Sequence, residues 1–96
     1  MKIVIETQHC ENYGAHSWDG EGECPQHWKF KGGSTYAADV TLEEATSRLR
    51  EIAEELCKKV TECNEYFEEY VINWGLYDSL EDVDVPEWVE IEELGR

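Results

Sequence analysis

Basic residues are scarce in this sequence. Eight Lys and Arg stand against 23 Asp and Glu in 96 residues, a formal charge of −15. A chain this anionic has no basic patch with which to grip DNA, RNA or an anionic membrane surface, so direct contact with nucleic acid or membrane is not expected. Long apolar runs are missing too. None approaches the roughly 20 residues needed to span a bilayer. The opening Met1-Lys2-Ile3-Val4-Ile5-Glu6 meets an acid too early for a signal peptide, so the expected place of action is the cytoplasm. Apolar and aromatic residues are not in short supply. The chain is 41% hydrophobic with four Trp, five Tyr and two Phe, whereas acidic disordered segments lack aromatics. The length suits one domain, residues 1–96, with a modest core.

The charge is uneven. Val60 to Gly95 holds twelve acids, Glu62, Glu65, Glu68, Glu69, Asp78, Glu81, Asp82, Asp84, Glu87, Glu90, Glu92 and Glu93, and no Lys or Arg. Soluble domains normally intersperse the two signs. One reading is a solvated face that maintains solubility; the other is a surface built to meet a basic partner.

Residue patterning predicts an α+β fold, in which a small antiparallel sheet packs against one long amphipathic helix. Ile3-Val4-Ile5 reads as a buried strand. The long irregular loop of residues 9–27 follows, then a β-hairpin over 28–40 whose turn would be Gly32-Gly33, two residues that accept positive φ. The helix is expected over 41–67. Thr41 and Glu44 form a capping box, and Leu42, Ala45, Leu49, Ile52, Ala53, Leu56, Val60, Cys63 and Phe67 recur at three- and four-residue steps. Leu49, Ile52, Leu56 and Val60 are the expected core seam. Glu44–Arg48, Glu54–Lys58 and Glu55–Lys59 are spaced for helical ion pairs. From Tyr70 the period becomes two, a strand over 70–77 expected to be central because both its sides carry bulk. In the acidic tail, 78–96, Pro86 could open a short helix with Trp88 and Ile91, or the Val89–Glu92 alternation could form a charged edge strand; the helix is favoured.

The 9–27 loop holds all three histidines and two of the four cysteines. His9, Cys10, His16, Cys24 and His27 are the residue types zinc prefers, but Cys24-x-x-His27 is the one familiar spacing among them. Packing within a compact loop is the plainer reading, and no metal or other cofactor is expected. Cys10 and His16 could be paired as nucleophile and base, yet no third group orients them, so no catalytic residue is assigned and the chain is not expected to be an enzyme. Cys57 and Cys63 read as buried free thiols on the helix, too far apart to bridge.

Ile5-Glu6-Thr7-Gln8, Glu11-Asn12-Tyr13-Gly14-Ala15-His16, Trp18-Asp19-Gly20, Gly22-Glu23-Cys24-Pro25-Gln26 and Trp28-Lys29-Phe30-Lys31-Gly32-Gly33 resemble a family of small acidic bacteriophage proteins of uncharacterised function, as does Glu68-Glu69-Tyr70-Val71-Ile72. The resemblance implies a phage origin and transfers no site residue. Small acidic phage proteins are frequently inhibitors of host machinery, and some imitate DNA. The expectation is therefore an inhibitor of a host nucleic-acid-binding defence complex, a CRISPR effector or a restriction enzyme. Its twelve acids from Glu62 to Glu93 would occupy a basic groove of that host protein. Duplex DNA carries about one charge per 1.7 Å, whereas acids four apart on a helix rise roughly 6 Å per charge, so a second row or a homodimer would be needed. The alternative is a small adaptor, with or without zinc, whose loop presents Tyr13 and Trp18 as binding anchors.

Overall fold

Ile3-Val4-Ile5 opens a strand far longer than its β-branched run. The computed structural model describes all residues, 1–96, and its central element is β1 (Lys2–Asn12). A single turn of helix, α1 (Tyr13–His16), follows, and then β2 (Trp28–Asp39), α2 (Leu42–Ser47), α3 (Leu49–Val60), β3 (Glu62–Cys63), β4 (Phe67–Tyr77), a 3-10 turn at Leu80–Asp82 and β5 (Ile91–Glu93). The five strands form one sheet in the order β3-β4-β1-β2-β5, mixed because β5 runs parallel to β2. The sheet curls as a half-barrel and its helices are short, so the expected small antiparallel sheet against one long helix is corrected.

The 28–40 hairpin does not form. A reversal at Gly32-Gly33 would give two short arms; running straight lets β2 give a partner to every residue of β1 from Lys2↔Asp39 to Asn12↔Trp28. The two glycines serve that ladder instead. Register slips between His9↔Gly32 and Cys10↔Phe30, which leaves Lys31 as the extra residue of a bulge, and Gly32 takes the positive φ of 131° there. At Gly33 the Thr7 carbonyl oxygen lies 2.5 Å from where a Cβ would stand, so the backbones approach closer than any side chain permits. The expected 9–27 loop likewise shortens, because His9 to Asn12 belong to β1 and Tyr13 to His16 are helical.

The 41–67 helix breaks twice. Its start is as expected: the Glu44 amide donates to Thr41 Oγ1 at 3.1 Å, and Glu44 Oε1 accepts from the Thr41 amide at 3.0 Å. The Thr46 and Ser47 hydroxyls then donate back to the Leu42 and Glu43 carbonyls, and Arg48 leaves helical geometry at φ −133°. The second break follows Val60. Thr61 is extended and its hydroxyl donates to the Cys57 carbonyl, while the Asn64 side chain accepts the Tyr66 and Phe67 amides and reverses the chain into β4. Cys63 is therefore an exposed strand residue rather than a buried helical thiol, and Phe67 lies in the sheet. The expected helical ion pairs do not form: Arg48 pairs with Glu51, and Glu44 pairs with Arg96. In the tail, residues 86–89 make one turn and the favoured helix is replaced by the edge strand β5.

α3 lays Ile52, Ala53, Leu56 and Val60 on Ile3, Ile5, Ala38 and Val40, with Leu49, Leu76 and Leu94 at the margin. Three of the four expected seam residues are thus buried and Leu49 is half-buried. Leu42, expected on the stripe, is 69% exposed. This core occupies the Ile3–Ile5 end of β1; the opposite end of the sheet, around Asn12, projects beyond it in a molecule 53 × 29 × 18 Å.

Two expectations follow from these contacts. Leu56→Ala removes a 5%-exposed side chain from the centre of the seam and should cost about 2–5 kcal/mol in denaturant melts. Glu44 is held near pKa 2, against an ordinary 4.5, first by the Arg96 guanidinium and then by the Thr41 amide. A depressed carboxyl contributes stability that is complete above its unfolded pKa and is lost as pH falls through the folded one. Arg96→Ala should therefore flatten the pH dependence of the melting temperature between about pH 4.5 and 2.

Candidate partner-binding surface

The acids expected to meet a partner are spread over three places. Glu62, Glu65, Glu68 and Glu69 lie at the β3–β4 hairpin, Asp78 to Glu90 lie in the segment that follows β4, and Glu92 and Glu93 lie in β5. Of the twelve, one is ion-paired: Glu93, with Lys2 at 3.2 Å. Four of the chain's eight bases are ion-paired, and their partners are mostly other acids. Lys2 also pairs with Asp39 at 2.8 Å, Lys31 with Glu11, Arg48 with Glu51 and Arg96 with Glu44. Ten of the twelve acids are exposed; Glu68 and Glu69 are half-buried.

Glu69 is not a free carboxylate. Its Oε1 accepts from the Thr7 hydroxyl at 2.7 Å and the Tyr36 hydroxyl at 2.9 Å, which ties β4 to both β1 and β2. Burial, and then the neighbouring Glu69, raise the Tyr36 phenol above its ordinary pKa. Residue patterning gives Glu68 and Glu69 no face, because it ends the helix at 67 and begins the strand at 70. β4 instead begins at Phe67, and alternation turns the two residues to opposite sides.

The Cys/His residues are dispersed. His9 lies in β1 with its ring edge-on to Phe67, centroids 5.5 Å apart, while His16 packs against Tyr66 at 5.3 Å. Cys10 is in register between Glu68 and Phe30. Cys24 is half-buried and His27 exposed in the loop. No group of three His, Cys, Asp or Glu side chains is placed to hold a metal ion. What fastens the loop is Asn12, fully buried: its Oδ1 accepts from the Gly14 amide at 3.1 Å and the His27 amide at 2.8 Å, and its Nδ2 donates to the Glu65 carbonyl at 3.0 Å. The proposed anchors are engaged within this end of the molecule. Lys29 and Lys31 sit over the Tyr13 ring at 5.3 and 4.9 Å, and Trp18 is half-buried with its indole N–H donating to the Glu21 carbonyl.

One feature escaped the sequence reading. On the sheet face opposite α3, residues 84–89 run past Glu6 and Gln8 and leave an open groove of about 270 Å³. Phe30, Ile72 and Trp88 line it and are 64%, 49% and 74% exposed. These residues come from β2, β4 and the tail, so no local pattern unites them. The groove is apolar with an acidic rim, since Asp84 lines it and Glu87 follows within the same tail segment.

No protein-family model, curated protein or solved structure matches the chain. No helix is long and apolar enough to cross a membrane.

Glu69 and Glu68 should separate by mutation. Glu69→Ala takes the acceptor from the Tyr36 hydroxyl, leaves the Thr7 hydroxyl only the Ser34 carbonyl at 3.4 Å, and should cost about 1–3 kcal/mol in denaturant melts. Glu68→Ala makes no side-chain bond to lose and should stay within about 0.5 kcal/mol of the parent.

Proposed function

We propose that the chain is a binding protein rather than an enzyme: an inhibitor, phage-encoded as the resemblance implies, that acts in the cytoplasm of a bacterial host. Its target is a host protein with a basic nucleic-acid-binding surface, of the CRISPR-effector or restriction-enzyme kind, and it acts by imitating the charge of nucleic acid. The observation that carries this reading is the uncompensated charge. Eleven of the twelve acids between Val60 and Gly95 have no cationic partner within the chain.

Charge density supports the reading and refines it. Fifteen net charges along a 53 Å axis is one per about 3.5 Å. A single nucleic-acid strand carries one per roughly 3.4 Å, and a duplex one per roughly 1.7 Å. By count, one copy carries about as many net charges as a single strand of the same length. Desolvated carboxylates facing Lys and Arg steer encounter as well as hold the complex.

The test separates charge from loop contacts. Asp78, Glu81, Asp82, Asp84, Glu87 and Glu90 are changed together to Asn or Gln, sparing Glu69 because it holds the sheet. Binding is measured by calorimetry and stopped flow against the host protein that the parent chain captures. The variant should fold, associate on the order of tenfold or more slowly and lose most of the salt dependence, and nucleic acid should compete with the parent chain. Trp18→Ala should leave binding unchanged. Unaltered binding by the neutralised variant, with no effect of salt, overturns the proposal, and loss of binding in Trp18→Ala favours the loop adaptor.

A further inference from the structure

The outer edge of β4 is open. β3 covers it at Glu68 and Glu69 alone, and β1 takes the other side. From Tyr70 to Tyr77 the edge has no neighbouring strand, and none of the hydrogen bonds outside the ladder reaches its backbone. At about 3.3 Å per residue the free edge is roughly 26 Å long. Natural sheets blunt such edges with Lys, Pro or inward charge. This one has no Lys, Pro or inward charge: Tyr70-Val71-Ile72-Asn73-Trp74-Gly75-Leu76-Tyr77 is the longest stretch in the chain without Asp, Glu, Lys or Arg. Its one irregularity is the bulge at Ile72, which an added strand must match with a bulge or a register step of its own. Ile72 and Trp74 on it are 49% and 40% exposed.

Carboxylates bracket the edge at both ends. Glu62, Glu65 and Glu68 stand before it, and Asp78, Glu81 and Asp82 after it. That arrangement decides the occupant. A second copy of the chain, paired antiparallel over these eight residues, would set each Asp78 opposite the other copy's Glu69 and bring two charges of −15 together. A segment with basic ends meets carboxylates at both ends and an uncharged seam between them.

We propose that β4 accepts a strand of its target by edge addition: an extended segment of about eight residues, β-branched or apolar in the middle, with Lys or Arg at each end. The main-chain hydrogen bonds supply adhesion and the terminal charges set register. This rests on the basic target of the proposed function and names the contact that the charge-imitating surface leaves unspecified.

The probe is a synthetic peptide with Lys-Arg at both ends and eight alternating Val and Thr between, added to the full-length isotope-labelled chain. Amide exchange is followed by NMR. The alternate amides of residues 70–77 that point away from β1 should exchange about tenfold more slowly with the peptide bound. The same peptide with Glu at its ends, or with alternate backbone nitrogens methylated, should give no protection, and I72K together with W74K should abolish it without unfolding the chain. Several outcomes overturn the proposal: no binding, equal binding of the methylated peptide, or protection at 70–77 that arises from self-association without peptide. Binding of the basic peptide at the tail acids with β4 unprotected overturns the edge site and leaves the charge-imitating function standing. Equal protection by the Glu-ended peptide overturns the charge complement, and with it the basic partner.

Discussion

Everything in this fold is referred to one strand whose two sides are both occupied. β1 exchanges hydrogen bonds with β2 along its full length and with β4 from Lys2 to Glu11. A central strand cannot be displaced without breaking two ladders together, so β1 fixes where β2 and β4 begin and end. It also fixes which of their residues face α3. Both bulges, at Ile72 in β4 and Lys31 in β2, are adjustments of the outer strands to β1. The surface features follow from this. β4 is left with a free outer edge because β3 is two residues long, and the tail lies across the face that the helices do not use.

Two different kinds of cohesion hold the two ends of the sheet. Near Ile3 and Ile5 the face is aliphatic and α3 covers it. Beyond Thr7 directional bonds take over from aliphatic burial: Glu69 joins Thr7 and Tyr36, and Asn12 gathers the backbone of the loop and the β3–β4 turn. Asn12 satisfies three backbone groups with one carboxamide, which is how a polar side chain is tolerated with no exposure at all. The carboxylates that remain free are those this bonding does not need.

Local pattern reveals local structure here and little else. The Thr41–Glu44 capping box and the α3 stripe from Ile52 to Val60 were legible, because each depends on neighbours within a few residues. The run from Tyr70 was legible as a strand, but its bulge at Ile72 was not, and the central place expected for it is corrected to one with an open outer edge. The length of β1 was not, since His9 to Asn12 carry polar side chains that pair only once β2 and β4 arrive. Gly32-Gly33 reads as a turn wherever a turn is geometrically possible; the bulge beside His9 gives the same residues another use. The apolar period ran through Thr61 and Asn64 because it scores side chains, whereas the helix ended on backbone capping by those two residues. For the surface, the number of acids was legible. Their facing was not, so Glu69 could not be told from its neighbours and the Phe30–Ile72–Trp88 groove went unseen.

The confinement of the aliphatic core to one end means that the chain does not open as a single block. Amides near Ile3, Ala38 and Leu56 lie in the ladders and helix over the buried core, while those of Asn12 and His27 are held by single bonds to the Tyr66 carbonyl and the Asn12 side chain, so local opening is expected to begin at the second group. The free edge of β4 spans this gradient, anchored at Leu76 in the core and at Glu69 in the polar end. Release of β3 from Glu68 and Glu69 would lengthen the open edge by two residues without disturbing the contacts of α3 with the core. The sheet thus behaves as a zip fastener with one fixed end, whose reach toward a neighbour varies while its hold on the rest of the molecule does not.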